Sequence, residues 1–350
     1  MNGLVGQELL RADLDRVFTR LEDDWPRLRG ARLFVTGGTG FIGRWMLEAL
    51  READTRLGLQ MEVVVLTRDP DGVARRAPHL AQYPGFRFIA GDVCDLAGTG
   101  DRFSHVLHAA TDASAELNER DPRRMFDTIV TGTRRALDFA LDAGAQRVVF
   151  LSSGAVYGPQ PWEVEKVAEH FRGGPNCQDP KIAYAEGKRA AEMLCAIYGK
   201  QFGLDIVSAR IFAVLGPLLS LDIHFAAGNF IRDALAGEKV RVIGGGGGVR
   251  SYLYATDLTV WLWAMLLRAE RGAVYNVGSE ESVSIAALAE RVSGLLGNAG
   301  FEILDKADPG WNLGRYVPST ELIRTSLNLQ AEVGLDEAIR RTAAWNGWVQ

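Results

Sequence analysis

The feature that most constrains the fold is a glycine-rich turn between an apolar segment and a helical one, in the stretch ARLFVTGGTGFIGRWMLEAL. Gly38, Gly40 and Gly43 have the spacing G-x-G-x-x-G, directly after a predicted strand and at the start of a predicted helix. Glycines at these places permit a tight turn and let backbone N–H groups approach a pyrophosphate, which the helix N-terminus also favours. The turn therefore predicts a dinucleotide site on a sheet of parallel strands.

Apolar segments alternate with helical ones along the first two thirds of the chain. The predicted strands are RLFVT, MEVVVLTRDP, FRFIAGDVCD, HVLHAA, RVVFLSS and DIVSARIF, and long helices are predicted over about 122–143 and 184–202. Continuous apolar strands that alternate with helices are typical of a parallel sheet covered on both faces. The fold class is therefore α/β, a Rossmann-type doubly wound parallel sheet with a smaller C-terminal α/β substrate lobe.

The same pattern predicts a division of the chain into three parts. Residues 1–30 form an N-terminal helical extension, because Leu10, Leu14, Val17, Phe18 and Leu21 recur at helical spacing. Residues 31–212 form the NAD(P)-binding Rossmann domain, and 213–350 form the substrate-binding lobe, with segments at about 273–290 that return to the main domain. Within the lobe, VRVIGGGGGVRSYLYATD predicts a hairpin whose turn is the run of five glycines.

Charge and composition exclude several classes of partner. The net charge is −5, so the chain has no general attraction to nucleic acid or to an anionic membrane. The three cysteines lack both a metal-binding spacing and a disulfide framework. The stretch TVWLWAMLLRA is too short to span a bilayer and predicts a buried helix. The sequence thus predicts a cytoplasmic protein that binds neither nucleic acid nor membrane and uses no metal.

The end of the second strand bears on the choice of cofactor. An acidic residue there holds the ribose 2′-hydroxyl of NAD, whereas an arginine accommodates the 2′-phosphate of NADP. This chain has Thr67 and Arg68 at that end, with Asp69 one residue later. The sequence therefore favours NADP over NAD, and a solvated surface arginine is the alternative explanation of Arg68.

A tyrosine and a lysine four residues apart lie in AYAEGKRAAE, within the second long helix. This spacing places Tyr184 and Lys188 on one helix face. A phenol of ordinary pKa is a poor base at neutral pH, but an adjacent ammonium and an oxidised nicotinamide lower that pKa. Ser153, at the end of the fifth strand, can bind the same substrate oxygen. The three residues predict an acid–base centre beside the dinucleotide.

Together these features resemble the extended short-chain dehydrogenase/reductase family, which contains the nucleotide-sugar epimerases and dehydratases. The resemblance covers about residues 32–345 and includes TGGTGFIG, GDVCD, HAA, LSSGAVYG, YAEGK, RIFAVLGP, GNFIRDALAG, RSYLYATDL and YNVGS. It implies a catalytic triad of Ser153, Tyr184 and Lys188, and substrate contacts by Ser153, Asn229 and Arg250. It also implies a homodimer held by a four-helix bundle of the two long helices. The implied cofactor-binding residues are Gly37, Gly38, Thr39, Gly40, Phe41, Ile42, Gly43, Thr67, Arg68, Asp92, Val93, Ala109, Ala110, Tyr184 and Lys188, with Asp92 at the adenine.

The chain departs from the family pattern in ways that bear on the reaction. Ala213 replaces the asparagine usual in RxFNxxGP, and Ile129 replaces the asparagine usual in NVxGT. In the 4,6-dehydratases an Asp-Glu pair follows the catalytic hydroxyl, and in the UDP-glucuronate decarboxylases a glutamate stands nearby. Here Gly154 and Ala155 follow Ser153, and neither side chain can carry a proton. This loop resembles that of the UDP-hexose 4-epimerases.

The sequence therefore predicts an NAD(P)-dependent epimerase that transiently oxidises C4 of a nucleotide-linked hexose. The main alternative is an NADPH-dependent reductase of 4-keto sugars, which the same residues could carry out. Dehydration or decarboxylation of a nucleotide sugar, reduction of apolar carbonyl compounds, and a non-catalytic dinucleotide-binding protein are further alternatives. The substrate in each of the leading interpretations is a nucleotide sugar.

Overall fold

A computed structural model of the chain describes residues 2–98, 100–111, 115–222, 226–297, 299–304 and 314–349. The strands are β1 (Arg32–Thr36), β2 (Glu62–Thr67), β3 (Phe86–Ala90), β4 (His105–His108), β5 (Arg147–Ser153), β6 (Ile206–Ile211), β7 (Val214–Leu215), β8 (Val240–Val242), β9 (Val249–Ser251), β10 (Leu253–Tyr254), β11 (Val274–Val277), β12 (Ser282–Ser284), β13 (Phe301–Ile303) and β14 (Arg315–Tyr316).

The helices are α1 (Asn2–Arg20), α2 (Phe41–Leu57), α3 (Pro70–Arg76), α4 (Pro78–Ala81), α5 (Ala115–Arg120), α6 (Pro122–Asp142), α7 (Ala183–Phe202), α8 (Ala226–Leu235), α9 (Ala255–Arg268), α10 (Ile285–Leu296), α11 (Glu321–Leu327) and α12 (Leu335–Trp345). The two long helices predicted from the sequence are confirmed as α6 and α7, each to within one residue at its ends. In none of the described segments is a helix both long and apolar enough to cross a membrane.

The central sheet has seven parallel strands in the order β11-β6-β5-β4-β1-β2-β3. The chain leaves β1 toward β2 on one side and later returns to β4 on the other. In open α/β sheets a crevice forms where the direction of winding reverses, at the carboxyl ends of the strands. The glycine turn after β1 lies at this point. The Rossmann-type α/β fold predicted from the sequence is confirmed.

Each face of the sheet has its own apolar core. On one face the side chains of β1 and β2 pack with α1, α2 and α9, and on the other they pack with α6 and α7. The predicted buried helix in TVWLWAMLLRA is confirmed as part of α9, whose residues 255–266 are all buried. α9 covers the central sheet and β11 joins it. The division of the chain into domains at 30 and 212 stays a prediction.

The N-terminal helix α1 is tied to the C-terminal part of the chain by a buried carboxylate. Asp13 is fully buried and accepts hydrogen bonds from the Tyr254 hydroxyl and the Arg341 guanidinium, each at 2.5 Å. Burial raises the pKa of Asp13, while the bonds from Tyr254 and Arg341 oppose that rise. Because a buried carboxylate is costly without partners, these bonds fix α1 against β10 and α12.

The prediction of a hairpin whose turn is the run of five glycines is wrong. β8 and β9 both form, but β8 pairs with β13, and β9 pairs with β12 and β14. Gly244, Gly245 and Gly246 have φ values of +80°, +74° and +74°, which other residues rarely adopt. The carbonyl of Gly246 accepts a hydrogen bond from the N–H of Ala286, at the start of α10, at 2.9 Å. The glycines therefore carry the chain from one small sheet to another past a helix N-terminus.

Candidate active site

The turn after β1 allows very close backbone packing. Gly37 has φ +71°, and a Cβ added there would lie 2.4 Å from the carbonyl carbon of Ala109. A Cβ added at Gly43 would lie 2.2 Å from the carbonyl oxygen of Gly37. Glycine is therefore required at both places, once to let the turn approach the end of β4 and once to bring α2 against the turn.

The N-terminus of α2 is suited to an anion. Its N-cap is Gly40, and no side chain caps this end of the helix. A Cβ added at Gly40 would meet only the Gly37 carbonyl oxygen, at 3.5 Å, so the space beside Gly40 is open. Backbone N–H groups at a helix N-terminus and the partial positive charge there favour a phosphate group. Thr39, Phe41 and Ile42 surround this end, and the arrangement fits the pyrophosphate of a dinucleotide.

The other predicted cofactor residues lie at the ends of neighbouring strands. Thr67 ends β2, and its hydroxyl accepts a hydrogen bond from the Asp69 N–H at 3.2 Å, while Arg68 is exposed. The Asp92 carboxylate accepts a hydrogen bond from the Cys94 N–H at 2.9 Å, and the next residue, Val93, is buried. Asp92 thus caps the short helical turn after β3, which fixes its position at the sheet edge.

The end of β4 is fixed by a neutral histidine. The two ring nitrogens of His108 lie 2.8 Å from the Thr36 hydroxyl and 3.0 Å from the Thr133 hydroxyl. Burial lowers the pKa of His108 to about 3, and the charge of Lys188 acts in the same direction. The Thr36 hydroxyl also accepts a hydrogen bond from the Ala110 N–H at 3.3 Å. These bonds hold Ala109 and Ala110 beside the glycine turn.

The structure brings the three predicted catalytic residues together. Ser153 is the last residue of β5, and Tyr184 and Lys188 lie in the first two turns of α7. The side chains of Tyr184 and Ser153 interact, and Ser153 lowers the pKa of the Tyr184 phenol against the effect of burial. Ser153 also accepts a hydrogen bond from the Ala155 N–H at 3.1 Å, which fixes its rotamer. The two hydroxyls can therefore bind one substrate oxygen.

Lys188 is buried with its ammonium group close to the tyrosine. Its Nζ donates to the Leu151 carbonyl oxygen at 2.6 Å and to the Thr111 hydroxyl at 2.8 Å. It lies 6.0 Å from the centroid of the Tyr184 ring. Burial lowers the pKa of Lys188 to about 7, against the opposing charge of Glu192. The lysine can therefore change its charge near neutral pH.

The prediction that an adjacent ammonium and an oxidised nicotinamide together lower the pKa of Tyr184 stays a prediction, and the structure shows what acts on the phenol without the nicotinamide. Burial raises the pKa of Tyr184, and the interaction with Ser153 lowers it. The ammonium bonds to β5 and Thr111 rather than to the phenol. A phenolate at this position therefore needs further positive charge, of the kind that an oxidised nicotinamide carries.

Tyr316 is a site residue that the sequence reasoning missed. Its hydroxyl lies 3.4 Å from the Ser153 hydroxyl and 3.4 Å from the Ile211 carbonyl oxygen, and its ring stacks at 4.5 Å on that of Phe212. Burial raises the pKa of Tyr316, against the hydrogen bond with Ser153 and the charge of Arg250. The tyrosine lies 163 residues from Ser153 along the chain, and RYVP has no pattern that signals a site.

A partly buried ion pair supports the strand that ends at Ser153. Glu192 accepts hydrogen bonds from the Ser152 hydroxyl at 2.5 Å and from the Arg210 guanidinium at 2.7 Å. Arg210 also donates to the Tyr157 hydroxyl at 2.8 Å. The position of Glu192, four residues after Lys188 on α7, could have indicated that it faces β5. The pair joins α7 to β5 and β6 directly behind Ser153.

The two predicted diphosphate contacts have different surroundings. Arg250 lies in β9 and donates to the Val249 and Gly314 carbonyl oxygens, and its charge acts on the site residue Tyr316. Asn229 lies in α8, where it accepts a weak hydrogen bond from Arg232 at 3.3 Å. Arg250 is thus connected to the triad through Tyr316, whereas the described bond of Asn229 lies within its own helix.

The loop after Ser153 has no room for a side chain at its first position. A Cβ added at Gly154 would lie 2.6–2.8 Å from the ring of Phe212. The next side chain is the methyl group of Ala155. Among the described residues, the Tyr316 phenol has a side-chain hydrogen bond to Ser153, and the Tyr184 phenol also interacts with Ser153. In the described part of the chain, the side chains that interact with Ser153 are therefore phenols and not carboxylates.

Comparison with known proteins agrees with this geometry. The family model described as the NAD dependent epimerase/dehydratase family matches residues 33–278. The chain is 30% identical to a UDP-glucuronic acid decarboxylase 1 of Xenopus tropicalis over 89% of this chain and 71% of that protein. It is 32% identical to a UDP-glucuronic acid decarboxylase 3 of Arabidopsis thaliana over 78% of this chain and 76% of that one.

A solved structure is also similar. The UDP-glucose 4-epimerase of Thermus thermophilus, in complex with NAD, is 28% identical, with a TM-score of 0.73 over 91% of this chain and 100% of that one. The similar proteins thus include both decarboxylases and epimerases, which agrees with the resemblance drawn from the motifs. On the family match, the fold and the site, the chain belongs to the NAD dependent epimerase/dehydratase family, within the extended short-chain dehydrogenases/reductases.

Proposed function

We propose that the protein is a nucleotide-sugar epimerase that transiently oxidises C4 of a nucleoside-diphosphate hexose. One observation carries the proposal: Ser153 acts on the Tyr184 phenol, the Lys188 ammonium lies 6.0 Å from the Tyr184 ring, and the loop that follows Ser153 has no acidic side chain. This set of groups can move a hydroxyl proton but lacks the additional acid that elimination of water requires.

Each residue has a defined part in the proposed chemistry. The Ser153 hydroxyl orients the C4 oxygen, and the Tyr184 phenolate removes its proton and later returns it. Bound NAD(P) supplies the hydride acceptor. Lys188 would bind the nicotinamide ribose beside the tyrosine, and its bond to the Thr111 hydroxyl is a contact of the kind that a ribose hydroxyl would make. Arg250 contacts the diphosphate of the substrate.

The identity of the cofactor is part of the proposal. The residues of the glycine turn and of the ends of β2, β3 and β4 would hold NAD(P), as described above. We propose NADP in preference to NAD, because Arg68 rather than an acid follows β2. The same observation favours a second candidate function, NADPH-dependent reduction of a 4-keto sugar, since cells maintain NADPH as a reductant.

An activity assay distinguishes these functions. Purified protein with bound cofactor is incubated with UDP- and dTDP-hexoses and with UDP-glucuronate, with and without added NADPH, and products are separated by chromatography and mass. We expect a C4 epimer of a hexose substrate, of unchanged mass, without added reductant. UDP-glucuronate is included because two similar proteins are named as its decarboxylases.

Three results would contradict epimerisation. Loss of CO₂ from UDP-glucuronate would show that the protein is a decarboxylase. Turnover of a 4-keto sugar only with NADPH would show that the protein is a reductase. Turnover of apolar carbonyl compounds, with activity retained in Arg250→Ala, would show that the substrate is not a nucleotide sugar.

We also propose that the protein forms a homodimer through α6 and α7. Four large apolar side chains are exposed on these helices: Phe126 (37%), Met193 (62%), Ile197 (37%) and Phe202 (57%). Exposed apolar groups of this size on adjacent helices are typical of a protein–protein interface. Pairing with a second copy would form an isologous four-helix bundle.

Charged substitutions test the dimer. Met193→Lys and Ile197→Lys are expected to convert a particle of twice the chain mass into one of the chain mass, because each places a charge in an apolar interface. Size-exclusion chromatography with light scattering at micromolar concentration measures this. Ile243→Lys is the control, since Ile243 is 66% exposed and lies after β8, away from α6 and α7. A wild-type monomer would contradict the proposal.

A further inference from the structure

The acidic residue after β2 is already engaged in other contacts. Asp69 caps α3 by accepting the Gly72 N–H at 2.8 Å. Its second oxygen lies 3.5 Å from the Arg76 guanidinium and 3.8 Å from that of Arg75. The hydrogen bond from Gly72 lowers the pKa of Asp69, and the two arginines act in the same direction. The carboxylate that could bind a ribose 2′-hydroxyl is therefore used to start a helix.

A small cavity opens between α3 and the glycine turn. Its polar lining comes from Gly38 and Thr39 in the turn, Arg44 in α2 and Arg76 in α3. The rest of the lining is apolar and consists of Leu47, Val73, Ala77, Leu80 and Phe88. Two guanidinium groups from different helices thus lie at one cavity that adjoins the dinucleotide turn and contains no acidic side chain in its lining.

Arg44 is incompletely neutralised by the protein. Its Nε is buried and has no hydrogen-bond partner among the described residues. The nearest oxygen of Glu48 lies 3.6 Å from that Nε, and the same oxygen is 2.8 Å from the His79 ring nitrogen. The other Glu48 oxygen lies 3.8 Å from the Arg51 guanidinium. Because Glu48 is shared among three basic side chains, Arg44 retains a donor for an anion.

We propose that this cavity binds the 2′-phosphate of NADP, with Arg44 and Arg76 as its ligands. The inference rests on the dinucleotide site of the proposed function and assigns the residues that distinguish NADP from NAD. Guanidinium groups pair with phosphate oxygens through two parallel hydrogen bonds, and a phosphate dianion compensates both positive charges. A 2′-hydroxyl has no charge and would add nothing to the partial compensation that Asp69 and Glu48 give these two guanidinium groups.

The chain offers a matched control for each arginine. Arg51 lies on α2 like Arg44, also pairs with Glu48 and also has a buried Nε without a hydrogen-bond partner among the described residues, but it does not line the cavity. Arg75 is adjacent to Arg76 and contacts the same Asp69 oxygen, but it too is absent from the lining. Comparison of two cavity variants with two control variants therefore distinguishes binding by the cavity from the general effect of positive charge on α2 and α3. The cavity variants are Arg44→Gln and Arg76→Gln, and the controls are Arg51→Gln and Arg75→Gln.

The experiment measures binding rather than turnover. The full chain, freed of nucleotide, is titrated calorimetrically with NADP⁺, NAD⁺, 2′,5′-ADP and 5′-AMP. We expect wild-type protein to bind NADP⁺ at least about tenfold more tightly than NAD⁺, and 2′,5′-ADP more tightly than 5′-AMP by a similar factor. Arg44→Gln and Arg76→Gln should each weaken the binding of NADP⁺ and 2′,5′-ADP by about tenfold or more. The affinity for NAD⁺ should change by less than about threefold. Arg51→Gln and Arg75→Gln should leave the preference for NADP⁺ unchanged.

Retained NAD⁺ affinity shows that each variant is folded. Equal wild-type affinity for NADP⁺ and NAD⁺, or an equal loss of NADP⁺ affinity in the control variants, would overturn the inference. Because no nucleotide sugar is present, failure of the epimerase proposal would leave these binding constants unchanged, and the two failures are distinguishable.

Discussion

Replacing Tyr184 by phenylalanine is expected to lower kcat by about 10²–10⁴-fold, because the substitution removes the proposed acid–base group and keeps the ring. Steady-state kinetics with the hexose substrate that the wild-type protein turns over measures this effect. Ser153 and Lys188 remain in place, so affinity for the dinucleotide should stay within about threefold of wild type, a change below about 1 kcal/mol.

Tyr198→Phe is the control for this prediction. Tyr198 lies on the same helix, and its hydroxyl donates to the Asp138 carboxylate at 2.5 Å, between α7 and α6. Its loss should cost stability but leave kcat unchanged. If Tyr184→Phe retains wild-type turnover and dinucleotide affinity, the phenol is not the proton-transfer group, whereas dinucleotide binding by a wild-type protein that turns over no substrate would favour a non-catalytic role.

Gly37→Ala is expected to abolish detectable dinucleotide binding and to lower the free energy of unfolding by about 2–5 kcal/mol. The new Cβ would lie 2.4 Å from the backbone of Ala109, and alanine is strained at φ +71°. The turn must therefore move away from β4, which displaces the N–H groups that face the pyrophosphate. Urea unfolding and calorimetric titration measure the two effects.

Gly58→Ala is the control that measures the effect of backbone strain without a steric clash. Gly58 ends α2 at φ +55°, and a Cβ added there would have no neighbouring atom within 4 Å. This variant should lose about 1–2 kcal/mol from backbone strain alone and bind the dinucleotide normally. Equal stability losses in the two variants, with binding retained in both, would show that the close approach of the turn to β4 is unimportant.

The parts of the fold set by local pattern could be predicted from the sequence. Strand β1, the glycine turn and α2 are contiguous, and their chemistry follows from backbone geometry. Tyr184 and Lys188 are adjacent on α7 because the helix repeat places them there. Ser153 joins them because β5 ends at the carboxyl edge of a parallel sheet, where the site of such a sheet lies.

The parts set by distant contacts could not be predicted in this way. The hairpin expected around the five glycines is absent because β8 pairs with β13, and β9 pairs with β12 and β14. These partner strands lie up to about sixty residues later in the chain. Tyr316 reaches Ser153 only through the pairing of β14 with β9. The raised pKa of Tyr184 follows from burial, which no short sequence pattern reports.

The central claim is that a hydride leaves C4 of a nucleotide sugar and returns to the same carbon within this site. The most direct measurement is turnover of UDP- and dTDP-hexoses that carry deuterium at C4, with the position of the label determined by NMR and mass. We expect a C4 epimer that retains its deuterium at C4 and gains none from D₂O. An epimer that has exchanged its label with solvent, or the absence of any C4 epimer across the panel, would contradict the claim.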